Sequence, residues 1–248
     1  MTDPHDPKTV TQTSAGLTPP DAPEMPEPQV RETKAHSIAG GLGLLLTVLG
    51  VIAGIALAVV GGGVVGSNGN NAVGIPVCIL GVLLAIASFF CMGGVKMVAP
   101  GEARVIQLFG RYVGTIRTDG LRWVNPLTSS RKISTRVRNH ETAVLKVNDA
   151  YGNPIELAAI VVWKVEDTAQ ALFEVDDFLE FVATQTESAV RHIAIEYPYD
   201  AHEEGGLSLR GGNAEEITEK LAVELTARVQ AAGVRIIESR FSHLAYAP

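Results

Sequence analysis

No Asp, Glu, Lys or Arg occurs between Ser37 and Val95. So long an uncharged apolar stretch cannot rest in water, and it lifts the mean hydropathy of the chain to +0.20. Cysteine is scarce too. Cys78 and Cys91 are the only two, and on one helix their Cα atoms would lie roughly 20 Å apart, too far to pair. A disulfide framework and a CxxC metal site are excluded. Cys91 lies near the end of its apolar segment, where S-palmitoylation is conceivable; the simpler reading is a buried small apolar residue.

A basic stripe is missing. The net charge is −7, which argues against nucleic acid as a partner. Catalytic fingerprints are missing as well: the chain has no HExxH, GxSxG, Walker A or Rossmann pattern. His192 and Glu196 stand four apart on one helix without a third ligand. His243 with Glu238 falls in a strand. One of Asp176 and Asp177 is needed as a helix cap. Ser129 and Ser130 lack a His/Asp pattern. The glycine clusters at 61–63, 205–206 and 211–212 do not match a phosphate cradle. No catalytic, cofactor-binding or metal residue is nominated, and the chain reads as a non-enzyme.

What is present begins with a tail. Residues 1–35 are rich in Pro, Thr, Asp and Glu and show no apolar periodicity, so they are expected to be disordered. Their acidic start does not fit a secretory signal. The region 36–96 follows, with two predicted membrane spans at 37–65 and 72–95, each long enough for a ~30 Å hydrocarbon core. Gly66 to Asn71 supplies turn chemistry between them. Small residues recur at Gly50, Gly54, Ala58, Gly62 and Gly66, and again at Gly74, Cys78, Gly81, Ala85 and Ser88. Such stripes let helix backbones approach in lipid and predict an antiparallel hairpin; a shallower re-entrant hairpin is the alternative. Pro76 is placed in the first turn of the second helix, where a missing N–H costs little. Arg31 and Lys34 precede the first span, and Lys96, Arg104, Arg111 and Arg117 follow the second. The connecting loop has no Lys or Arg, so the positive-inside rule places tail and domain in the cytoplasm of a two-span cell-membrane protein.

Beyond residue 97 the pattern becomes short strand runs at 103–109, 111–117, 121–124 and 131–138, then a hairpin of 143–147 and 154–165 around an Asp149–Pro154 turn. Asp167 and either Asp176 or Asp177 are predicted helix caps. One helix runs to about Tyr197 with Phe178, Phe181, Val182, Ala189 and Ile193 on its apolar face. Another opens at Asn213 and Glu216, carries Ile217, Leu221, Leu225 and Val229, and stops at Gly233. Residues 234–246 form a closing strand. This is an α+β domain: antiparallel strands, then helices, then a last strand.

Residues 97–126 (MVAPGEARVIQLFGRYVGTIRTDGLRWVNP) resemble the opening of the stomatin/prohibitin/flotillin (SPFH, Band 7) domain. The resemblance rests on Pro100-Gly101, Phe109-Gly110, and Gly120-Leu121 with Asn125-Pro126. The hairpin (VNDAYGNPIELAAIVVWKVED), the helix with Glu187, Ala189, Val190 and Arg191, and the closing strand extend it over 97–248; the double span fits a bacterial subgroup. It implies a membrane scaffold that forms homo-oligomers, organises microdomains and modulates neighbouring membrane proteins, including proteases and channels. The alternative is an adaptor of a single membrane protease or transporter. Many relatives continue into a long Ala/Gln/Glu-rich assembly helix. The sequence stops at Pro248, so it is expected either to be a piece or to assemble without that helix. Edge strands near 103–109 or 234–246 are the expected contacts for strand addition.

Overall fold

The computed structural model describes residues 29–68, 71–200, 207–211 and 214–247. The chain enters through a two-residue strand, β1 (Ile38–Ala39), and turns at once into α1 (Gly40–Asn68); α2 (Asn71–Met92) runs back beside it. Both helices are long and apolar enough to cross a membrane, with window hydropathies of 2.7 and 2.6. Only 11% and 6% of those windows is buried. A soluble core helix would be mostly buried; these display Leu, Ile, Val and Phe outward along their lengths, the arrangement that suits insertion in a membrane.

The pairing of the helices keeps the expected stripe of α2 and corrects that of α1. Gly50 faces Ser88, Gly54 faces Gly81 and Ala85, Ala58 faces Gly81, and Gly61 faces Gly74 and Cys78. A Cβ added at Gly50, Gly54, Gly61, Gly74 or Gly81 would come within 3 Å of the opposite helix. Gly62 and Gly66, expected in this row, meet nothing. Four residues turn a helix by about 400°, so a strict four-residue row drifts about 40° per step and leaves the seam. The observed seam steps by four, four and three along α1 and alternates four and three along α2, the spacing of left-handed helix pairs.

The boundaries move for local reasons. Residues 37–39 were expected in the first span, but Ile38 and Ala39 pair with Trp123 and Arg122. The second span ends at Met92, where Gly93 and Gly94 donate to Phe90 and Cys91 carbonyls in a tightening turn. Helix replaces most of the expected loop. With α2 opening at Asn71, Pro76 falls in its second turn rather than its first.

After α2 come β2 (Val95–Val98), β3 (Glu102–Leu108), β4 (Arg111–Ile116), β5 (Gly120–Trp123) and β6 (Thr128–Ser134). They form two three-stranded sheets, β1-β5-β2 and β4-β3-β6. β3 is therefore a central strand, not the expected edge. Phe109 and Gly110 make the β3–β4 turn, both at positive φ, 49° and 84°. Val98, Ile106, Ile116 and Val124 close a small core between the sheets. This is the first lobe.

The second lobe holds β7 (Arg138–Glu141), β8 (Leu145–Asn148), β9 (Pro154–Val165), α3 (Thr168–Phe173), α4 (Phe178–Glu196), α5 (Ala214–Val229) and β10 (Val234–Tyr246). The expected strand at 131–138 divides into β6 and β7, because Thr135 donates to Gly101 and the chain bends away. β9 is central: β10 and β7 flank it, and β8 pairs along it too. Its continuous apolar run, legible in the sequence, meets the stripes of α4 and α5 in the main core around Leu157, Val161, Val182, Ile193, Leu221 and Leu225. Asp177, not Asp176, caps α4. Glu216 lies in α5, while Asn213 and the glycines at 205, 206 and 212 fall outside the described residues. Gly233 stands at φ 64°, where a Cβ would strike the Asp167 carbonyl.

Asp149 ties the β8–β9 turn to the end of α4. Its Oδ1 accepts from the Tyr151 and Asn153 amides and its Oδ2 from Asn153 Nδ2 and Tyr199 N. Burial alone would raise its pKa, but these donors outweigh burial and hold the carboxyl below its ordinary value. Its contribution to stability is complete above the ordinary carboxylate pKa and disappears as pH falls through the lowered one.

Two outcomes follow. Gly81→Ile should disrupt the hairpin, by about 1–3 kcal/mol of overpacking, whereas Gly62→Ile should be tolerated; thermal unfolding in mild detergent measures both. Asp149→Ala should cost about 2–4 kcal/mol by leaving buried amides unpaired, read as a lowered melting temperature of the domain.

Candidate functional site

The hairpin meets the first lobe at a tightly packed junction. α1 is 29 residues long and α2 is 22, so α1 overhangs by about 10 Å. The overhang lies on β5. Gly40 sits against the backbone of Leu121 and Arg122, and Gly43 against the Trp123 side chain; a Cβ at either would collide. β5 pairs on one side with β1, the segment entering α1, and on the other with β2, the segment leaving α2. Trp123 Nε1 donates to the Cys91 carbonyl at 2.9 Å, a second donor beside the Gly94 amide on one of the last acceptors of α2. Val124 N donates to Gly94 O at 2.9 Å. One strand of the domain thus holds both ends of the hairpin.

A second tie lies upstream. Residues 30–35 were expected to continue the disordered tail; instead they form an extended strap across both lobes. Ala35 N donates to Thr115 O, and Thr115 N to Thr33 O. The strap can lie this close because position 114 is glycine: a Cβ there would meet the Lys34 and Ala35 backbone within 3 Å. Val30 N donates to Glu174 Oε1. Glu32 N donates to Asp167 Oδ2, whose other oxygen caps α3.

Glu32 is the centre of this strap. Its carboxylate accepts from Arg117 Nε at 2.5 Å and Nη2 at 2.8 Å, and from the Thr168 amide and hydroxyl, each at 2.8 Å. Arg117 also donates to the Glu166 carbonyl. Burial pushes the Glu32 pKa up, but Arg117 and Thr168 outweigh it and hold the carboxyl below its ordinary value. The Arg117 guanidinium is correspondingly raised, first by its bond to Glu32. Arg117 belongs to the first lobe and Thr168 to the second, so one carboxylate from the strap fastens both. Residues 1–28 of the expected disordered tail lie outside the described residues; at 30–35 the expectation does not hold, because composition weighs only burial. A few charge-assisted bonds and a groove made by Gly114 fix the strap without an apolar face. The legible signal was a glycine inside a strand run, which marks close backbone approach.

The residues weighed for chemistry are placed elsewhere. His192 Nδ1 meets Glu224 Oε2 of α5 at 3.2 Å, not Glu196, and Glu224 also holds Arg228. Glu196 accepts from Tyr197 OH. Glu238 pairs with Arg240, and His243 lies opposite Ala158 in the sheet. Ser130 Oγ accepts from Arg104. The Cys78 and Cys91 thiols are half-buried and unpaired. Among the described residues no group of three or more His, Cys, Asp or Glu is placed to hold a metal.

Glu32→Gln removes the charge and leaves the shape. It should raise exchange of the Ala35 and Thr115 amides about tenfold or more, for the 1.5–3 kcal/mol typical of charged hydrogen bonds. In the unmodified chain the same amides should lose protection on acidification. The depressed carboxyl stabilises the strap above its ordinary pKa and ceases to do so as pH falls through the lowered value. Amide exchange at a series of pH values, corrected for intrinsic rates, reads both effects.

No curated protein matches the chain. Residues 96–248 match the model of the SPFH domain / Band 7 family. That match begins in β2, directly after the second membrane helix, and runs through the closing strand. It covers well over half of the sequence, so the chain belongs to the SPFH domain / Band 7 family.

Proposed function

We propose that this chain is a membrane scaffold: two spans hold the SPFH domain at the cytoplasmic face of the cell membrane, and copies associate laterally to organise a microdomain and modulate neighbouring membrane proteins. Members of the family are generally membrane scaffolds that oligomerise, and the family is not known for enzymatic activity. The observation that carries the reading is the double hold of β5 on the hairpin. A domain on a flexible linker would tumble above the bilayer. A domain joined to both helix ends by a sheet presents the same surfaces in the same orientation in every copy. Confinement to one membrane raises the effective concentration of such surfaces, so weak lateral contacts suffice.

The contact surface in this reading is β10. It is 13 residues long, has β9 as its one strand neighbour among the described residues, and stands at the edge of its sheet. Two register shifts, between Ile236 and Glu238 and between Phe241 and His243, interrupt it. With Arg235, Glu238 and Arg240 along it, this edge is protected against indiscriminate pairing. A second copy pairs only where charge and register match. The cytoplasmic placement rests on the cations that flank the hairpin and their absence from its loop. Neighbouring proteases or channels are the partners in view.

Native mass measurement of the full chain, released from membranes in mild detergent, tests the proposal. The expected result is a ladder of multiples of the single-chain mass, shifted toward the single chain by Arg240→Glu. A single chain carrying one partner protein would contradict self-association and favour an adaptor.

A further inference from the structure

The chain carries an overall charge of −7, yet the first lobe is strongly basic. Between residues 95 and 136 there are eight Lys or Arg against two acids, Glu102 and Asp119. Ion pairs do not absorb this excess: among the described residues Arg117 is the one cation of the eight with a carboxylate partner. The remaining ion pairs all lie in the second lobe or at its rim.

Two of the cations are placed at a cost to the fold. Lys96 and Arg122 stand directly opposite one another on neighbouring strands. Cross-strand partners share a sheet face, and like charges so placed repel. Arg122 Nε is moreover buried without a hydrogen-bond partner, which is unfavourable for a charged group. Nothing within the described molecule compensates for either. An anion from outside would offset the repulsion between them and neutralise the Arg122 guanidinium.

The place of the pair says where that anion comes from. Lys96 and Arg122 are one residue beyond Val95 and Trp123, the pair that meets the end of α2. From there β5 runs into the Asn125–Thr128 turn, closed by Thr128 N to Asn125 O. Thr128 pairs with Leu108, so the β3–β4 turn lies beside it. These two turns carry Phe109, 82% exposed, and Leu127, 52% exposed. Phe109 is also the one described residue other than glycine at positive φ, a conformation that aromatic side chains rarely adopt. Large apolar tips and unpaired cations on one small lobe, at the end of a membrane hairpin, match the chemistry of the lipid interface and not that of a protein groove.

We propose that this end of the first lobe binds anionic lipid headgroups, with Lys96 and Arg122 as its charged centre and Phe109 and Leu127 seated among the lipids. The inference rests on the membrane-spanning reading of the hairpin. It goes beyond the positive-inside rule, which needs cations near a span but no particular register. It makes the domain a second contact with the bilayer, selective for negative leaflets.

The test uses the full chain equilibrated in mild detergent with equimolar phosphatidylcholine and phosphatidylglycerol, the retained lipids then being quantified by mass spectrometry. The unmodified chain should retain phosphatidylglycerol in excess, and added salt should reduce the excess. Lys96→Gln with Arg122→Gln should lower it by about fivefold for each charge removed. The charge-keeping pair Lys96→Arg with Arg122→Lys should restore it, which separates lost charge from lost fold. Arg191→Gln with Arg210→Gln, in the second lobe and off the β10 edge, should leave it unchanged. Equal retention of the two lipids by the unmodified chain, or an excess that survives the neutral pair, overturns the inference. In that case an acidic protein segment becomes the candidate occupant. If instead the chain is washed from bilayers at alkaline pH, the membrane-spanning reading itself has failed.

Discussion

The four residues of β5 hold this structure together. They receive the strand that leads into α1 on one side and the strand that leaves α2 on the other, and Trp123 caps the end of α2. Without that pairing, the two halves would be a lipid-soluble hairpin and a water-soluble domain joined by two linkers. Glycine makes the arrangement possible. Gly40 and Gly43 let α1 lie directly on β5, and Gly94 lets the chain pass under Val124 and the Trp123 indole. A bulkier residue at any of the three would push the membrane helices off the sheet.

The hairpin and the domain solve different problems. In lipid there is no hydrophobic drive between helices, so α1 and α2 hold together by close backbone approach along their small-residue seam. In water the second lobe holds together by burial, with β9 between its neighbours and the apolar faces of α4 and α5. The first lobe stands between these regimes. Its own core is four residues and a contact from Ala35, and it depends on its neighbours for support. The hairpin supports one end through β5, and the Glu32 strap ties the other to α3. That dependence also couples them: a change in the strap or the membrane helices is transmitted through the same small lobe.

Much of this was legible in the sequence where period and punctuation agree. The apolar run of β9, the stripes of α4 and α5, the cap at Asp167 and the stop at Gly233 all fell where local chemistry placed them, and the α4 cap fell on one of the two candidates, Asp177. What escaped was long-range. A two-residue strand at Ile38 and Ala39 has no local signature; it exists because Trp123 and Arg122 are opposite. β3 looked like an edge because its two partners follow it in sequence and their order cannot be read from a pattern. The strap was hidden inside a Pro-rich, charged segment whose composition describes a chain on its own, not a chain with a groove at Gly114 to occupy. The weighed pair His192 and Glu196 parted for the same reason: Glu224, distant in sequence, was the nearer partner.

The central claim is that β5 locks the hairpin to the domain. Amide hydrogen exchange of the full chain in lipid bilayers, followed for a peptide covering residues 120–124, tests it most directly. The account predicts protection close to that of β9 in the main core. Exchange as fast as in an exposed loop would show that the helices and the domain move independently, and would contradict it.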